Sequence, residues 1–350
     1  MIKVIPILLI FGSFVEPQKV INLNTFGGKI KSEIDATGPY SLYLSASSDS
    51  MSRLSQIFVE TSNNQQISLY QLKMNKMHRS SGFLQPFRVV KSAAIVSNLT
   101  DTDMKFLTGF LYVTTRKQMN DNSFYVFDVD QEQIVNLDET KPDNCTIVFL
   151  NSNASMTPVH STTITNWVQS ENSSVFIYQG FPHNGEPKSY SQIFSNPVST
   201  TEKMKFFSYI EPFSISLSVF HMRIHKGIKF TIHPQYLNIN GTTTSFPTTT
   251  GFYMKPFNRP EENTVINIVT VNSLVPEVTT SLTGTNMIGS VSNDSSVSVD
   301  SKGDGMGNGY SVKPVDQILG WSSPYYAHNI TISSKNALDG QYFVQYYVIH

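Results

Sequence analysis

Ser174-Val175-Phe176-Ile177-Tyr178-Gln179-Gly180-Phe181-Pro182-His183-Asn184-Gly185 is a short apolar run followed by a glycine-bearing polar turn, the pattern of a β-strand and its connection. The same pattern stands at Ile57-Phe58-Val59-Glu60-Thr61-Ser62-Asn63-Asn64 and at Val297-Ser298-Val299-Asp300-Ser301-Lys302-Gly303-Asp304. The copies begin roughly 120 residues apart, one small domain each. A Ser/Thr-laced strand pattern precedes each copy, at 40–44, 162–168 and 278–282, and a long alternating segment follows each, at 106–113, 213–220 and 341–349. An opening run, Asn144-Cys145-Thr146-Ile147-Val148, matches Asn263-Thr264-Val265-Ile266-Asn267 in the last third; the first third has no clear counterpart. Strand order therefore repeats, and the chain reads as three all-β modules at 19–118, 123–235 and 236–350.

The segment before them is of another kind. Lys3 is followed by an apolar run at 4–15 and then by polar residues, which predicts a signal peptide over 1–15. Later windows fall short of the apolar length a membrane span needs, so no membrane span is expected and the mature protein is expected to be secreted. Charged residues are 15% of the chain and the net charge is -1. Neither figure gives an electrostatic reason for a nucleic-acid partner. Cys145 is the one cysteine; no intrachain disulfide can form, and within a strand-like run this side chain is expected to be a small buried hydrophobe.

Within the first module, strands are predicted at 20–24, 40–44, 56–60, 67–72, 88–96 and 106–115, all antiparallel. The basic insert at 73–79 reads as a loop or helical turn and is a candidate binding patch. In the second, 220–225 is predicted to turn at Lys226-Gly227 into 228–233 as a hairpin. His221 and His225 lie on one strand about 13 Å apart, too far to share a zinc ion.

Candidate sites are few. Trp321, Tyr325 and Tyr326 lie close together near Pro324 and could form a platform for a sugar, core packing being the alternative. Asp300 and Asp304 sit in a glycine-rich stretch that superficially resembles a calcium loop, without the spacing or closing glutamate of an EF-hand. No cofactor is expected. Glycosylation sequons at Asn98, Asn153, Asn172, Asn240, Asn293 and Asn329 are acceptor candidates; Asn144 also begins one but opens a predicted strand. Nucleophile-elbow, zinc-protease and phosphate-loop signatures are missing, so the chain is not expected to be an enzyme.

The Asn-Cys-Thr-Ile-Val opening strand, the Val-Phe-Ile-Tyr strand that runs into a polar turn, and the closing Phe213-Ser214-Ile215-Ser216-Leu217-Ser218-Val219-Phe220 resemble the CUB-like domain of secreted nematode proteins. Phe246-Pro247-Thr248-Thr249 and 341–348 extend the resemblance to the third module. It implies a jelly-roll-like β-sandwich in each module and an extracellular role, often in responses to infection or stress. The disulfide cysteines of ordinary CUB domains are missing here and their acidic calcium ligands have no residue-by-residue match, so calcium-dependent protein binding is not carried over. The expected function is binding of an extracellular glycan or protein; a structural role in matrix or cuticle and a carbohydrate-active enzyme are the alternatives.

Overall fold

The computed structural model describes residues 18–26, 31–78, 82–137, 144–154, 160–182, 192–199, 203–236, 241–245, 248–255, 263–270, 282–291, 296–302, 307–312, 319–326, 329–335 and 340–349. The 1–15 signal segment, Asp304, Asn240 and Asn293 lie outside them. Strands dominate, in paired sheets that form β-sandwiches.

The first sandwich has eight strands, Lys19–Asn22, Lys31–Glu33, Tyr40–Ala46, Ile57–Thr61, Gln66–Ser68, Phe87–Val89, Ala93–Ser97 and Gly109–Val113. Counted in chain order, one sheet runs first, eighth, third, sixth, and the other runs second, seventh, fourth, fifth. Gln133–Leu137, Asn144–Leu150, Thr162–Gln169, Ser174–Gln179, Gln192–Asn196, Phe213–Ile215, Val219–His225 and Ile228–His233 repeat that order. So do Thr249–Met254, Asn263–Thr270, Leu282–Val291, Ser296–Lys302, Gly307–Val312, Leu319–Tyr326, Asn329–Lys335 and Gly340–Ile349. This is the two-sheet wrapping of a jelly roll, three times over.

In such an order the chain changes sheet at every connection except the one between the fourth and fifth strands. That exception is the quoted motif: Ile57–Thr61 pairs with Gln66–Ser68 across a turn in which Asn64 takes φ 61°, and Ser296–Lys302 pairs with Gly307–Val312. The expected hairpin at 220–233 does not form. Val219–His225 pairs with Asn144–Leu150 and Ser174–Gln179, whereas Ile228–His233 pairs with Gln133–Leu137 and Thr162–Gln169. The left-handed turn at Lys226, φ 65°, carries the chain between layers. Both strands are apolar on one face, and the two-layer solution packs those faces together: Phe220 stacks on Phe149 at 4.8 Å, and Phe230 reaches Phe149 at 6.3 Å. A hairpin would have left both sets in one layer.

Other departures have equally local causes. The strand expected at 88–96 is two strands in different sheets, Phe87–Val89 and Ala93–Ser97, because it spans a crossover. The strand expected at 67–72 is mostly the helix Leu69–Met74, which Ser68 and Gln71 start with a reciprocal capping box. Among the described residues, three parallel pairings interrupt the antiparallel rule: Phe124–Asp128 beside Asn144–Leu150, Gly241–Ser245 beside Asn263–Thr270, and Tyr209–Ile210 beside Thr249–Met254.

The sandwiches are joined by buried contacts. Between the first and second, Tyr43, Phe110 and Tyr112 meet Phe124, Val126, Val148 and Leu150, with Tyr112 stacked on Phe181 at 4.5 Å. Between the second and third, Phe252, Met254 and Phe343 enter the second sandwich's own core, and Phe207 packs on Tyr347 at 5.7 Å. These junctions decide which sheet faces stay open.

Candidate functional site

The sheet of the second sandwich that contains Ser174–Gln179 shows how one face is divided. Its neighbours in order are Gln192–Asn196, Ser174–Gln179, Val219–His225, Asn144–Leu150 and Phe124–Asp128. Val175 and Ile177, Met222 and Ile224, and Cys145 and Ile147 point into the core. The alternate residues form three rows across the outer face: Asn144, His225 and Ser174; Thr146, Arg223 and Phe176; Val148, His221 and Tyr178. Val148 is covered by the first sandwich. The other two rows line an open groove of about 690 Å³, a volume in the usual range for small-ligand sites.

Chemistry concentrates at the boundary between covered and open. Arg223 lies over the Tyr178 ring, Cζ 5.8 Å from its centroid, and that ring stacks on His221 at 5.0 Å. His221 is buried and held by Gly180, whose carbonyl accepts from Nδ1–H at 2.8 Å. A guanidinium on an aromatic face keeps a fixed plane and still offers several donors. Burial raises the Tyr178 pKa, with Arg223 working against it, so the phenol remains protonated at neutral pH. Asn144 Oδ1 accepts from His225 Nδ1–H at 2.9 Å across the top row. Among the described residues lining the groove there is no carboxylate. The arrangement therefore suits binding of a ring that has apolar faces and hydrogen-bonding edges.

The equivalent sheet of the first sandwich has a smaller depression of about 440 Å³, lined by Lys31, Glu33, Glu60, Gln66 and neighbours. Its described lining is mostly polar and holds no aromatic ring.

Within the basic insert, Lys73 and Lys76 turn to the junction with the second sandwich, His78 is exposed, and Arg79 lies outside the described residues. Lys73, in the helix Leu69–Met74, is buried against the second sandwich, with Nζ 2.9 Å from Asp128 Oδ2 and 3.5 Å from Asp130 Oδ2, and Lys76 lies 3.1 Å from Asp130. Ser45 Oγ–H donates to Asp128 Oδ1 at 2.7 Å and accepts from Ser152 N–H at 3.2 Å. Burial opposes the Lys73 charge, yet Asp128 and Asp130 outweigh it and hold its pKa above the ordinary lysine range. Burial raises the Asp128 pKa, with Lys73 and Ser45 opposing. These lysines are spent on the junction.

The remaining candidates fall in separate places. Trp321, Tyr325 and Tyr326 lie on Leu319–Tyr326, the edge strand of a third-sandwich sheet, with Trp321 paired to Met287 and Tyr325 to Thr283. Pro324 fits there because an edge strand can spare an N–H. Asp300 is in a strand, paired with Gly309 and Thr331, and the described residues hold no cluster of three or more metal-ligating side chains. Asn98 and Asn172 are exposed; Asn153 and Asn329 are partly buried, and Thr331 Oγ1–H donates to Asn329 Oδ1 at 3.3 Å. Cys145 is buried in the core, as its sequence context predicted.

Sequence reading singled out none of Phe176, Tyr178, Arg223 and His225 as site residues. A signal was present in the quoted stretch itself: Val175 and Ile177 supply one apolar face, so Phe176 and Tyr178 make the second face apolar as well, and a sandwich strand needs only one such face.

A family model described as "Glycoprotein: Transmembrane glycoprotein" matches residues 37–350. A search of curated proteins gives no match. The family description corrects the expectation of no membrane span, because it is one of transmembrane proteins. Among the described residues no helix is long and apolar enough to cross a membrane.

Proposed function

The chain belongs to this family of transmembrane glycoproteins, and on that premise we propose that it is the outward-facing, non-enzymatic part of a membrane-attached glycoprotein that binds glycans in the groove of the second sandwich. The observation that carries this reading is the Arg223–Tyr178 pair set beside Phe176 on an open sheet face. Aromatic rings offer flat apolar surface to the C–H face of a sugar, and the guanidinium offers donors to its hydroxyl or carboxylate oxygens. Buried junctions on both sides of the second sandwich hold this face in place, which limits the ordering cost of binding.

A glycan array tests it, probed with the full chain from glycosylating eukaryotic cells, its own N-glycans intact in one arm and trimmed in the other. Selective binding that falls about tenfold or more in Arg223→Ala and Phe176→Ala supports the groove. Binding that survives those changes and is lost in Trp321→Ala with Tyr325→Ala would move the site to the third sandwich's edge strand. Absence of glycan binding in both arms would reject the reading.

A further inference from the structure

We propose that Asn144 carries an N-linked oligosaccharide whose first sugars lie in the second sandwich's groove, so that the chain's own glycan covers this surface and competes with outside glycans for it. Only the competition rests on the binding function proposed above; attachment and seating rest on geometry.

Asn144-Cys145-Thr146 is a sequon. Asn144 is the exposed first residue of its strand, and with Thr146 it lines the groove. Opening a strand is no obstacle here, because the side chain stands on the outer face while Cys145 turns inward. His225 Nδ1–H holds the amide oxygen at 2.9 Å. The nitrogen Nδ2, which would bear the sugar, is not the atom held.

Attachment is simple in its balance. Nδ2 bonds to the anomeric carbon of an oligosaccharide carried on a lipid diphosphate, the carbon–diphosphate bond breaks with its electrons going to the diphosphate, and the amide loses one proton. The folded strand then directs the product. Asn144 is in line with His225 and Ser174, and the next row is Thr146, Arg223 and Phe176. Two strand spacings across and one two-residue step along place the Phe176 backbone roughly 12 Å from Asn144. Sugars leaving Asn144 thus pass over His225 toward Arg223 and Phe176. The groove already has the surface such sugars need.

Asn98 is the internal comparison. It is exposed, it is followed by Thr100, which caps the helix Asp101–Lys105, and it does not line the groove.

Mass spectrometry of glycopeptides from the full chain, made in glycosylating eukaryotic cells, should find Asn144 occupied. Asn144→Gln and Thr146→Val should each remove that glycan, while Thr146→Ser should keep it. Under native conditions an endoglycosidase should release the Asn144 glycan about tenfold more slowly than the Asn98 glycan, and Phe176→Ala with Arg223→Ala should erase the difference. Thr146→Val should bind outside glycans about tenfold more tightly than the parent. An unoccupied Asn144, or release as fast as at Asn98, would overturn the proposal. Protection at Asn144 without outside glycan binding by any variant supports the seating and overturns the competition alone.

Discussion

The side chain of Gln345 forms a two-way hydrogen-bonded pair with the backbone of Ser195. Ser195 N–H donates to Oε1 at 3.0 Å, and Nε2–H donates to the Ser195 carbonyl at 2.8 Å, all of it buried. Gln192–Asn196 is an edge strand of the second sandwich, and Gln345 lies in the closing strand of the third. One amide therefore does for this edge what a neighbouring strand would do, and the edge is blocked against foreign pairing.

Gln345→Leu keeps the bulk and removes both bonds, together with the 3.1 Å bond that Nε2–H donates to Thr250 Oγ1. The orphaned Ser195 N–H and C=O should each cost about 1–3 kcal/mol. Urea unfolding should show that loss, and limited proteolysis should become faster between the second and third sandwiches.

At the first junction, Lys73→Met leaves Asp128 buried without its cation, which should cost about 3–5 kcal/mol. Adding Asp128→Asn should restore part of the loss, since a neutral amide is cheaper to bury than a lone charge. A double-mutant cycle by chemical denaturation reads the coupling; strictly additive losses would mean that the 2.9 Å pair contributes only packing.

Alkaline pH should loosen the same junction. Lys73 has a folded pKa above its ordinary value, so its stabilisation is full below about 10.4 and is lost as pH rises through the higher folded value. Burial pushes Tyr43 up to about 12 and Tyr112 upward as well. Above the ordinary tyrosine value of about 10, the unfolded chain sheds protons that the folded chain keeps, so stability falls as pH rises. Tyrosinate absorbance recorded with the unfolding midpoint between pH 10 and 12 should show both effects beginning together.

Gly251 faces the Tyr346 ring, where an added Cβ would come within 2.2 Å of ring and hydroxyl atoms. The ring is buried and its hydroxyl is bonded to Glu211, so it has little room to move. Gly251→Ala should destabilise by about 1–3 kcal/mol, and the loss should shrink in Tyr346→Phe, which frees the ring from Glu211. Thermal melts of the single and double variants check this.

How much of this was legible from the chain depended on the range of the interaction. The short apolar runs at Ile57–Thr61 and Ser174–Gln179 gave strands, and in them Ile57 and Val59, and Val175 and Ile177, are buried toward the core. The capping box at Ser68 and Gln71 was equally local, and it outweighed the apolar pattern that predicted a strand. Sheet partnership was not legible. Phe220, Met222 and Ile224 satisfy the same pattern whether Ile228–His233 lies beside them or opposite them, and a two-residue turn serves either. The groove depended on a longer range still: Arg223 and Tyr178 meet only through strand register, and the first sandwich covers Val148 beside them. Lys73 looked like a surface charge because its carboxylates are 55 and 57 residues away in the chain.

In each sandwich the first and eighth strands are antiparallel neighbours, as Lys19 opposite Val113, Gln133 opposite Ile232 and Thr249 opposite Val348 show. The polypeptide thus begins and finishes each unit at the same end, about one strand spacing apart. A unit of that kind can be copied in tandem at the level of the gene without rethreading the copy before it, needing only a short connector. Growth by duplication was therefore open to this architecture, and each new copy could afterwards lose or gain surface chemistry independently, as the polar depression of the first sandwich and the aromatic groove of the second now differ.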